Sequence, residues 1–221
     1  MYRKDKLVEG EIYHIFSKSI AEFKIFSSYV NSTRMLATIR YYQMKKSTKK
    51  FSVFIRNERL KEEQDYFYNF LQGKEKLVEI IAYCLMPTHL HLILKQLKRN
   101  GISIFMNDIL NSYTRYFNVK TRRKGPLCES RFKSVLVDTD EQLIHLTRYI
   151  HLNPVTAYLI NKPQEWKFSS YGEYLGKVGK EDIVCRYEDL LSIQPDSYKE
   201  FVDDRISYQR SLATIKYLML D

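Results

Sequence analysis

The sequence is short of the features that mark membrane, secreted and fibrous proteins. It has no apolar run of about 18 residues or more, the length that a transmembrane helix needs, and its N-terminal residues do not resemble a signal peptide. Only 7 glycines and 5 prolines occur in 221 residues, which argues against long disordered or fibrous tracts. The three cysteines, Cys84, Cys128 and Cys185, are far apart, so they predict neither a disulfide framework nor a zinc site. We expect a cytoplasmic protein without a membrane partner.

Acidic residues are also in deficit, with 26 against 36 basic residues and a net charge of +10. This surplus favours a polyanionic partner, nucleic acid first and an acidic membrane second. A basic protein without such a partner would have the same composition. Hydrophobic residues make up 44% of the chain, enough for a core, and the length fits one domain with an appendage or two small domains.

The periodicity of apolar residues predicts an α+β fold, an antiparallel sheet with helices packed on it. Strands are predicted at 10–16, 77–85, 89–96 and 132–137. Helices are predicted at about 29–45, 58–71 and 102–120, the last with Ile104, Phe105, Ile109 and Leu110 as its core stripe. A further helix begins after Thr139 and should end near Leu152, because Pro154 disfavours helical geometry at Asn153. Weaker helical stretches follow at 187–192 and 197–207.

Two histidines stand out on the predicted strand 89–96. Side chains at i and i+2 share one face of a strand, so His89 and His91 project together while Leu90, Leu92 and Leu94 face the core. Two imidazoles beside a tight turn can chelate one cation. Together with an oxygen ligand and water they would suit Mg²⁺ or Mn²⁺. A His-x-His pair also occurs by chance on strands that bind no metal.

The helix after Thr139 carries Tyr149 and Asn153 on one face, at i and i+4. A tyrosine that attacks a phosphodiester exchanges one ester for another, so the bond energy is kept for rejoining. Its pKa of about 10 makes the phenol a weak nucleophile at neutral pH, and a cation beside the phosphate compensates for this weakness. Tyr149 is, however, one of 18 tyrosines, most of which must serve packing or lie on the surface.

Several segments, taken in order, resemble one superfamily. They are Met86-Pro87-Thr88-His89-Leu90-His91-Leu92, Arg148-Tyr149-Ile150-His151-Leu152-Asn153-Pro154 and Trp166-Lys167-Phe168-Ser169-Ser170-Tyr171, with weaker matches at 111–118 and 131–133. The chain is similar here to the HUH-type single-tyrosine transposases of bacterial insertion sequences, and most similar to the REP-associated tyrosine transposases. The resemblance spans residues 11 to 174.

The resemblance implies a ferredoxin-like fold with the histidine motif on a central strand. It implies binding of single-stranded DNA folded into hairpins, and cleavage that leaves a 5′-phosphotyrosine and a free 3′-hydroxyl. His89 and His91 would be metal ligands, Tyr149 the nucleophile and Asn153 the third protein ligand, where many insertion-sequence relatives have glutamine. Residues 1–175 would form the catalytic domain and 176–221 a helical extension of unknown role. The protein would be associated with the nucleoid, as a monomer or a homodimer.

A basic stretch between residues 115 and 133 is interleaved with aromatic residues. Cations track phosphates and aromatic faces stack on unpaired bases, which predicts a DNA surface. Its predicted members are Arg115, Lys120, Arg122, Arg123, Lys124, Arg131 and Lys133, whereas Phe117 and Phe132 are expected in the core. The cations would also suit a solvated rim without DNA.

Two rival functions remain open on the sequence. One is a non-catalytic or domesticated nucleic-acid-binding protein on the same fold. The other is a metallohydrolase that cuts phosphodiesters with water, which would need more acidic ligands than the motifs supply.

Overall fold

The structure, a computed structural model, describes residues 6–44, 51–58, 74–129 and 131–218. Within these ranges one four-stranded sheet has the order β2-β3-β1-β4, with every neighbouring pair antiparallel. Its strands are β1 (Ile12–Lys18), β2 (Val78–Met86), β3 (His89–Gln96) and β4 (Lys133–Val137). The chain order of strands and helices around this sheet is the split βαβ arrangement of ferredoxin-like folds, which confirms the predicted α+β class.

Helices occupy most of the remaining described chain. They are α1 (Tyr29–Tyr42), α2 (Phe51–Glu58), α3 (Gly101–Thr121), α4 (Asp140–Thr156), α5 (Tyr171–Tyr174), α6 (Pro195–Asp203) and α7 (Ile206–Leu218). Single-turn 3-10 helices lie at Ile20–Glu22, Pro163–Glu165 and Lys180–Asp182. None of the helices within the described ranges combines the length and apolarity needed to cross a membrane.

The sheet is covered on both faces. Leu90, Leu92 and Leu94 of β3 pack with α1 and α3 on one face, as the alternation predicted. Ile93 faces the opposite way and packs with Leu143 and Ile150 of α4 and with side chains of α5 and α6. Phe117 and Phe132 are buried as predicted. The histidines of β3 therefore share the face of the sheet that α4 covers.

The predicted end of α4 was wrong. The helix runs through Pro154 to Thr156 instead of ending near Leu152. Pro154 has no N–H to offer the carbonyl of Ile150, which costs one helical hydrogen bond. Pro154 and Val155 are both buried, and the Ala157 N–H donates to Asn153 O at 2.9 Å. Burial of this last turn outweighs the lost bond, and it keeps Asn153 in the helix.

Other local predictions also need correction. Ile104 is 42% exposed, because the buried stripe of α3 falls on Ile102, Phe105, Met106, Ile109 and Tyr113. Residues 187–192 form a turn and not a helix. Helix α2 was not predicted, and most of the helix predicted at 58–71 lies outside the described residues.

Candidate active site

The two predicted metal ligands lie together at the start of β3, next to the turn that joins it to β2. His89 pairs across the sheet with Met86, and His91 pairs with Cys84. The ring centres of His89 and His91 are 5.0 Å apart, and the planes are nearly perpendicular. His91 is 8% exposed, whereas His89 is half-buried. The backbone of β3 therefore fixes the positions of both histidines, on the face of the sheet that α4 covers.

Helix α4 brings Tyr149 to this pair. The side chain of Thr139 accepts a hydrogen bond from the Gln142 N–H at 3.1 Å, which fixes the first turn of the helix predicted to begin after Thr139. Ten residues further along, the ring centre of Tyr149 lies 6.1 Å from that of His91. The Tyr149 side chain is 41% exposed, so a ligand can reach it. Desolvation raises the pKa of Tyr149 above its ordinary value, and the phenol is protonated at neutral pH.

A third imidazole, from β1, belongs to the same cluster and was missed by the sequence analysis. His14 Nε2 lies 2.9 Å from His91 Nδ1, and the two rings are stacked with centres 5.2 Å apart. The ring of His14 also lies 6.4 Å from that of Tyr149. The alternation of β1 does put His14 on one face with Ile12 and Phe16. That pattern does not reveal that β1 is the neighbour of β3.

Burial keeps all three imidazoles neutral. Desolvation lowers the pKa of His14 to about 4. Desolvation, with a smaller contribution from the Lys18 ammonium, lowers the pKa of His89 to about 4. Desolvation, followed by the charges of His14, His89 and Lys18, lowers the pKa of His91 to about 3. Neutral imidazoles keep a lone pair for a cation, so the environment leaves these side chains in their ligating form throughout the neutral range.

In both His89 and His91, the ring nitrogen Nδ1 lies at a hydrogen-bond partner, which leaves Nε2 available to a metal. Thr88 Oγ1 lies 3.0 Å from His89 Nδ1, and His14 Nε2 is the partner of His91 Nδ1. Metal-binding histidines commonly use their second ring nitrogen in this way, which fixes the tautomer and leaves Nε2 for the metal. Both histidines are therefore suited to bind one cation through Nε2.

The predicted third ligand, Asn153, lies on the same face of α4 as Tyr149, one turn further on. Its Nδ2 is buried and has no hydrogen-bond partner within the described part of the chain. This nitrogen is a hydrogen-bond donor, so an acceptor such as a phosphate oxygen would complete it, and a cation would not. Across the described residues, no group of three or more His, Cys, Asp and Glu side chains is arranged to hold a metal. A cation at this site would depend on two imidazoles, an amide oxygen and water.

Lys18 adds a positive charge that the sequence analysis did not assign. It pairs with His89 across β1 and β3 and is exposed. Two residues earlier on the same face, Phe16 pairs with His91 on one side and with Lys133 on the other. The Lys133 ammonium lies 5.8 Å from the centre of the Phe16 ring. Lys18 and Lys133 thus flank the histidines on the same face of the sheet.

The other cations predicted to bind DNA lie at the end of α3 and in the loop after it. This loop reaches the histidine end of the sheet, because the Glu129 N–H donates to Lys18 O at 2.9 Å. Lys120 Nζ donates to Asn31 Oδ1 at 2.6 Å, and Arg123 donates to Pro126 O at 2.6 Å. Lys120 therefore joins the end of α3 to α1, and Arg123 helps to hold the loop. The remaining members are exposed, namely Arg115, Arg122, Lys124 and Arg131.

Comparisons with known proteins agree with this architecture. Residues 40–153, just over half of the chain, match the family model described as "Transposase IS200 like". A solved structure of a REP-associated tyrosine transposase bound to a REP hairpin is similar, with a TM-score of 0.55 and 14% identity. The similarity covers 88% of this chain and 97% of that one. No curated protein sequence matches the chain. On the family match, this protein belongs to the IS200-like transposases and is a transposase enzyme of the HUH tyrosine superfamily.

Proposed function

We propose that this transposase cleaves and rejoins single-stranded DNA with Tyr149 as the nucleophile. The observation that carries the proposal is the 6.1 Å separation between the Tyr149 and His91 rings within one chain. It brings a solvent-accessible phenol beside two neutral imidazoles and two flanking lysines. The same geometry supports a catalytic function over a non-catalytic DNA-binding function, which would need no nucleophile at the histidine pair.

The proposed step is a transesterification at phosphorus. The Tyr149 Oη forms a bond to phosphorus, and the bond between phosphorus and the 3′-oxygen breaks. The phenol proton passes to solvent and the departing oxygen takes up a proton, so the products are a 5′-phosphotyrosine and a free 3′-hydroxyl. Rejoining is the reverse reaction with a different 3′-hydroxyl. No external energy source is needed, because one phosphate ester replaces another.

We propose that His89, His91 and Asn153 hold a divalent cation, Mg²⁺ or Mn²⁺. The Nε2 atoms of the two histidines, whose Nδ1 atoms have hydrogen-bond neighbours, fit such an ion, and the side-chain oxygen of Asn153 would be the third ligand. The bound ion would neutralise charge on the phosphate oxygens and make phosphorus more electrophilic. His14 would act as a positioning residue, because a hydrogen bond from His91 Nδ1–H to His14 Nε2 fixes the tautomer that His91 needs.

We propose that the substrate is a DNA strand carrying a hairpin. The similar solved structure holds a REP hairpin, and the net charge of +10 favours a polyanion. Lys18 and Lys133 would contact the phosphates next to the cleaved bond. The exposed cations of the α3 loop, Arg115, Arg122, Lys124 and Arg131, would contact phosphates further along, and Lys120 and Arg123 would shape that surface.

We also propose that residues 1–175 form the catalytic domain and that 176–221 form an extension that braces its nucleophile helix. The Arg148 guanidinium of α4 lies 3.9 Å above the ring of Phe201 in α6. The Tyr198 hydroxyl of α6 lies 2.7 Å from His151 Nδ1 and donates to Thr147 Oγ1. These contacts fix residues of α4 both before and after Tyr149.

The test is a covalent adduct between the protein and labelled single-stranded hairpin DNA, resolved on a denaturing gel with Mn²⁺ present. We expect an adduct with the natural chain, none with Tyr149→Phe, and an undiminished adduct with Tyr158→Phe, a 60% exposed tyrosine outside the site. Both variants should bind the DNA. An adduct that persists in Tyr149→Phe would assign the nucleophile to another tyrosine. DNA binding without any adduct would support the non-catalytic alternative, and cleavage without an adduct would support the hydrolase.

A further inference from the structure

A cavity of about 460 Å³ lies beside the β2–β3 turn, which leads into the strand that carries the histidine pair. Pro87 lines it, and Pro87 is two residues before His89, so their Cα atoms are at most about 7.6 Å apart. That distance spans about two stacked nucleotides of a DNA strand. The other side chains that matter here are Lys24, Phe26, Trp166, Lys167 and Phe168.

The walls of this cavity are aromatic and held by backbone hydrogen bonds. The Trp166 indole N–H donates to Leu85 O at 3.0 Å, and the Leu85 N–H donates to Phe168 O at 2.9 Å. On the other side the Phe26 N–H donates to Pro87 O at 3.0 Å. Both Trp166 and Phe168 are only partly buried, so part of each ring faces solvent. The cavity therefore presents fixed apolar faces next to the end of β2.

The aromatic surface continues out of the cavity. The ring of Tyr29, at the start of α1, lies 5.5 Å from that of Phe168, and Tyr29 is 66% exposed. A tyrosine this exposed contributes little to the core. It extends the surface on which a flat ligand can stack.

The charges around the cavity match an anionic strand. Lys24 and Lys167 are exposed on two different segments of its lining. The nearby carboxylate, Glu165, accepts a hydrogen bond from the Asn161 N–H at 3.2 Å. A neutral apolar ligand would gain nothing from the two lysines, whereas a nucleotide offers both a flat base and a phosphate.

We propose that this cavity binds one unpaired base of the DNA strand whose phosphate lies at His89 and His91, stacked on Trp166 and Phe168 with its phosphate near Lys24 or Lys167. This inference rests on the proposed function and adds a recognition site to it. Unpaired bases bind aromatic side chains in this way, and each stacked base contributes about tenfold or more in affinity. The cavity would select strands that are unpaired next to the cleavage point, because a paired base cannot turn out into it.

Trp166 is the only tryptophan in the chain, so its fluorescence reports on this cavity alone. The experiment titrates Tyr149→Phe, which should bind DNA without cleaving it, with single-stranded hairpin oligonucleotides in which one nucleotide at a time is abasic. We expect the intact strand to quench Trp166 fluorescence. One abasic position near the cleavage point should abolish the quenching and lower the affinity about tenfold or more.

A second measurement uses binding affinity without fluorescence. Phe168→Ala should weaken binding of the intact strand and leave binding of the critical abasic strand unchanged. The control, Tyr208→Ala, removes a 53% exposed aromatic residue of α7 that does not line the cavity, and it should bind both strands normally.

Binding without quenching, or equal quenching by every abasic strand, would overturn the inference while the proposed function stands. An adduct test that fails on the natural chain would overturn the proposed function separately. If Trp166 fluorescence is quenched as the protein concentration rises in the absence of DNA, the cavity binds a second copy of the chain instead.

Discussion

His14 Nε2 on β1 lies 2.9 Å from His91 Nδ1 on β3, so one imidazole is fixed by another across the sheet. Within the described part of the chain, no three His, Cys, Asp or Glu side chains, these three histidines included, are arranged to hold a metal ion. We interpret His14 as the residue that orients His91. Replacement of such a partner commonly weakens metal binding about 10- to 100-fold.

We therefore predict that His14→Ala weakens Mn²⁺ binding by about 10- to 100-fold. The loss of the free Mn²⁺ signal in electron paramagnetic resonance measures binding without requiring activity. His14→Gln should recover part of the affinity, because its amide oxygen can accept the His91 N–H. His145→Ala is the matched control, since His145 bonds to Arg148 on α4. Equal affinity in His14→Ala and the natural chain, with both folded, would contradict the positioning role.

The second prediction concerns whether one chain supplies the whole site. Tyr149 and His91 meet within one chain, so a Tyr149→Phe protein mixed with a His91→Ala protein should form no adduct. Each parent variant alone should also be inactive. The denaturing gel used for the natural chain measures this. Adduct formation in the mixture would mean that tyrosine and histidines come from different copies, as in a homodimer with exchanged helices.

A third prediction tests the lysine opposite His89. Lys18→Gln should weaken binding of single-stranded DNA and reduce the slope of log affinity against log salt by about 1, because one phosphate contact is lost. Lys18→Arg should keep the slope. Lys177→Gln removes an exposed lysine that pairs with no strand of the sheet, and it is the control. Fluorescence anisotropy at several salt concentrations gives the slopes, and an unchanged slope in Lys18→Gln would rule out the contact.

The fourth prediction tests the brace between α6 and α4. His151 is fully buried, and desolvation lowers its pKa to about 3, so its ring is neutral. The Tyr198 hydroxyl lies 2.7 Å from His151 Nδ1 and 2.9 Å from Thr147 Oγ1. Tyr198→Phe leaves His151 Nδ1 buried without this partner and should lower the free energy of unfolding by about 1–3 kcal/mol.

Urea unfolding followed by circular dichroism measures the change. Tyr208→Phe, which alters an exposed hydroxyl of α7, should stay within about 0.5 kcal/mol of the natural chain. Equal midpoints for the two variants would show that the Tyr198 hydroxyl contributes nothing to holding α6 against α4.

Patterns that act along the chain predicted the fold class, the strands and the faces of β3 well. The alternation of β3 put His89 and His91 opposite Leu90 and Leu92, and the cap at Thr139 located the start of α4. Both depend on near neighbours in sequence. The predicted end of α4 failed because the burial of Pro154 and Val155 is a tertiary effect, which a local rule about proline does not include.

The residues that were missed all depend on strand order. His14 and Lys18 become part of the site only because β1 lies beside β3, more than 70 residues away in sequence. Neither has a motif of its own. The cavity at Trp166 likewise combines the loop before α1, the β2–β3 turn and the segment after α4.

The two faces of strand β3 carry different kinds of side chain. Its leucines pack with α1 and α3, while His89 and His91, the proposed metal ligands, project from the opposite face. A descendant that lost both imidazoles would keep those leucines and the sheet register. The fold of such a descendant would therefore be unchanged, and only the side chains at these two positions would show that the proposed activity had been lost.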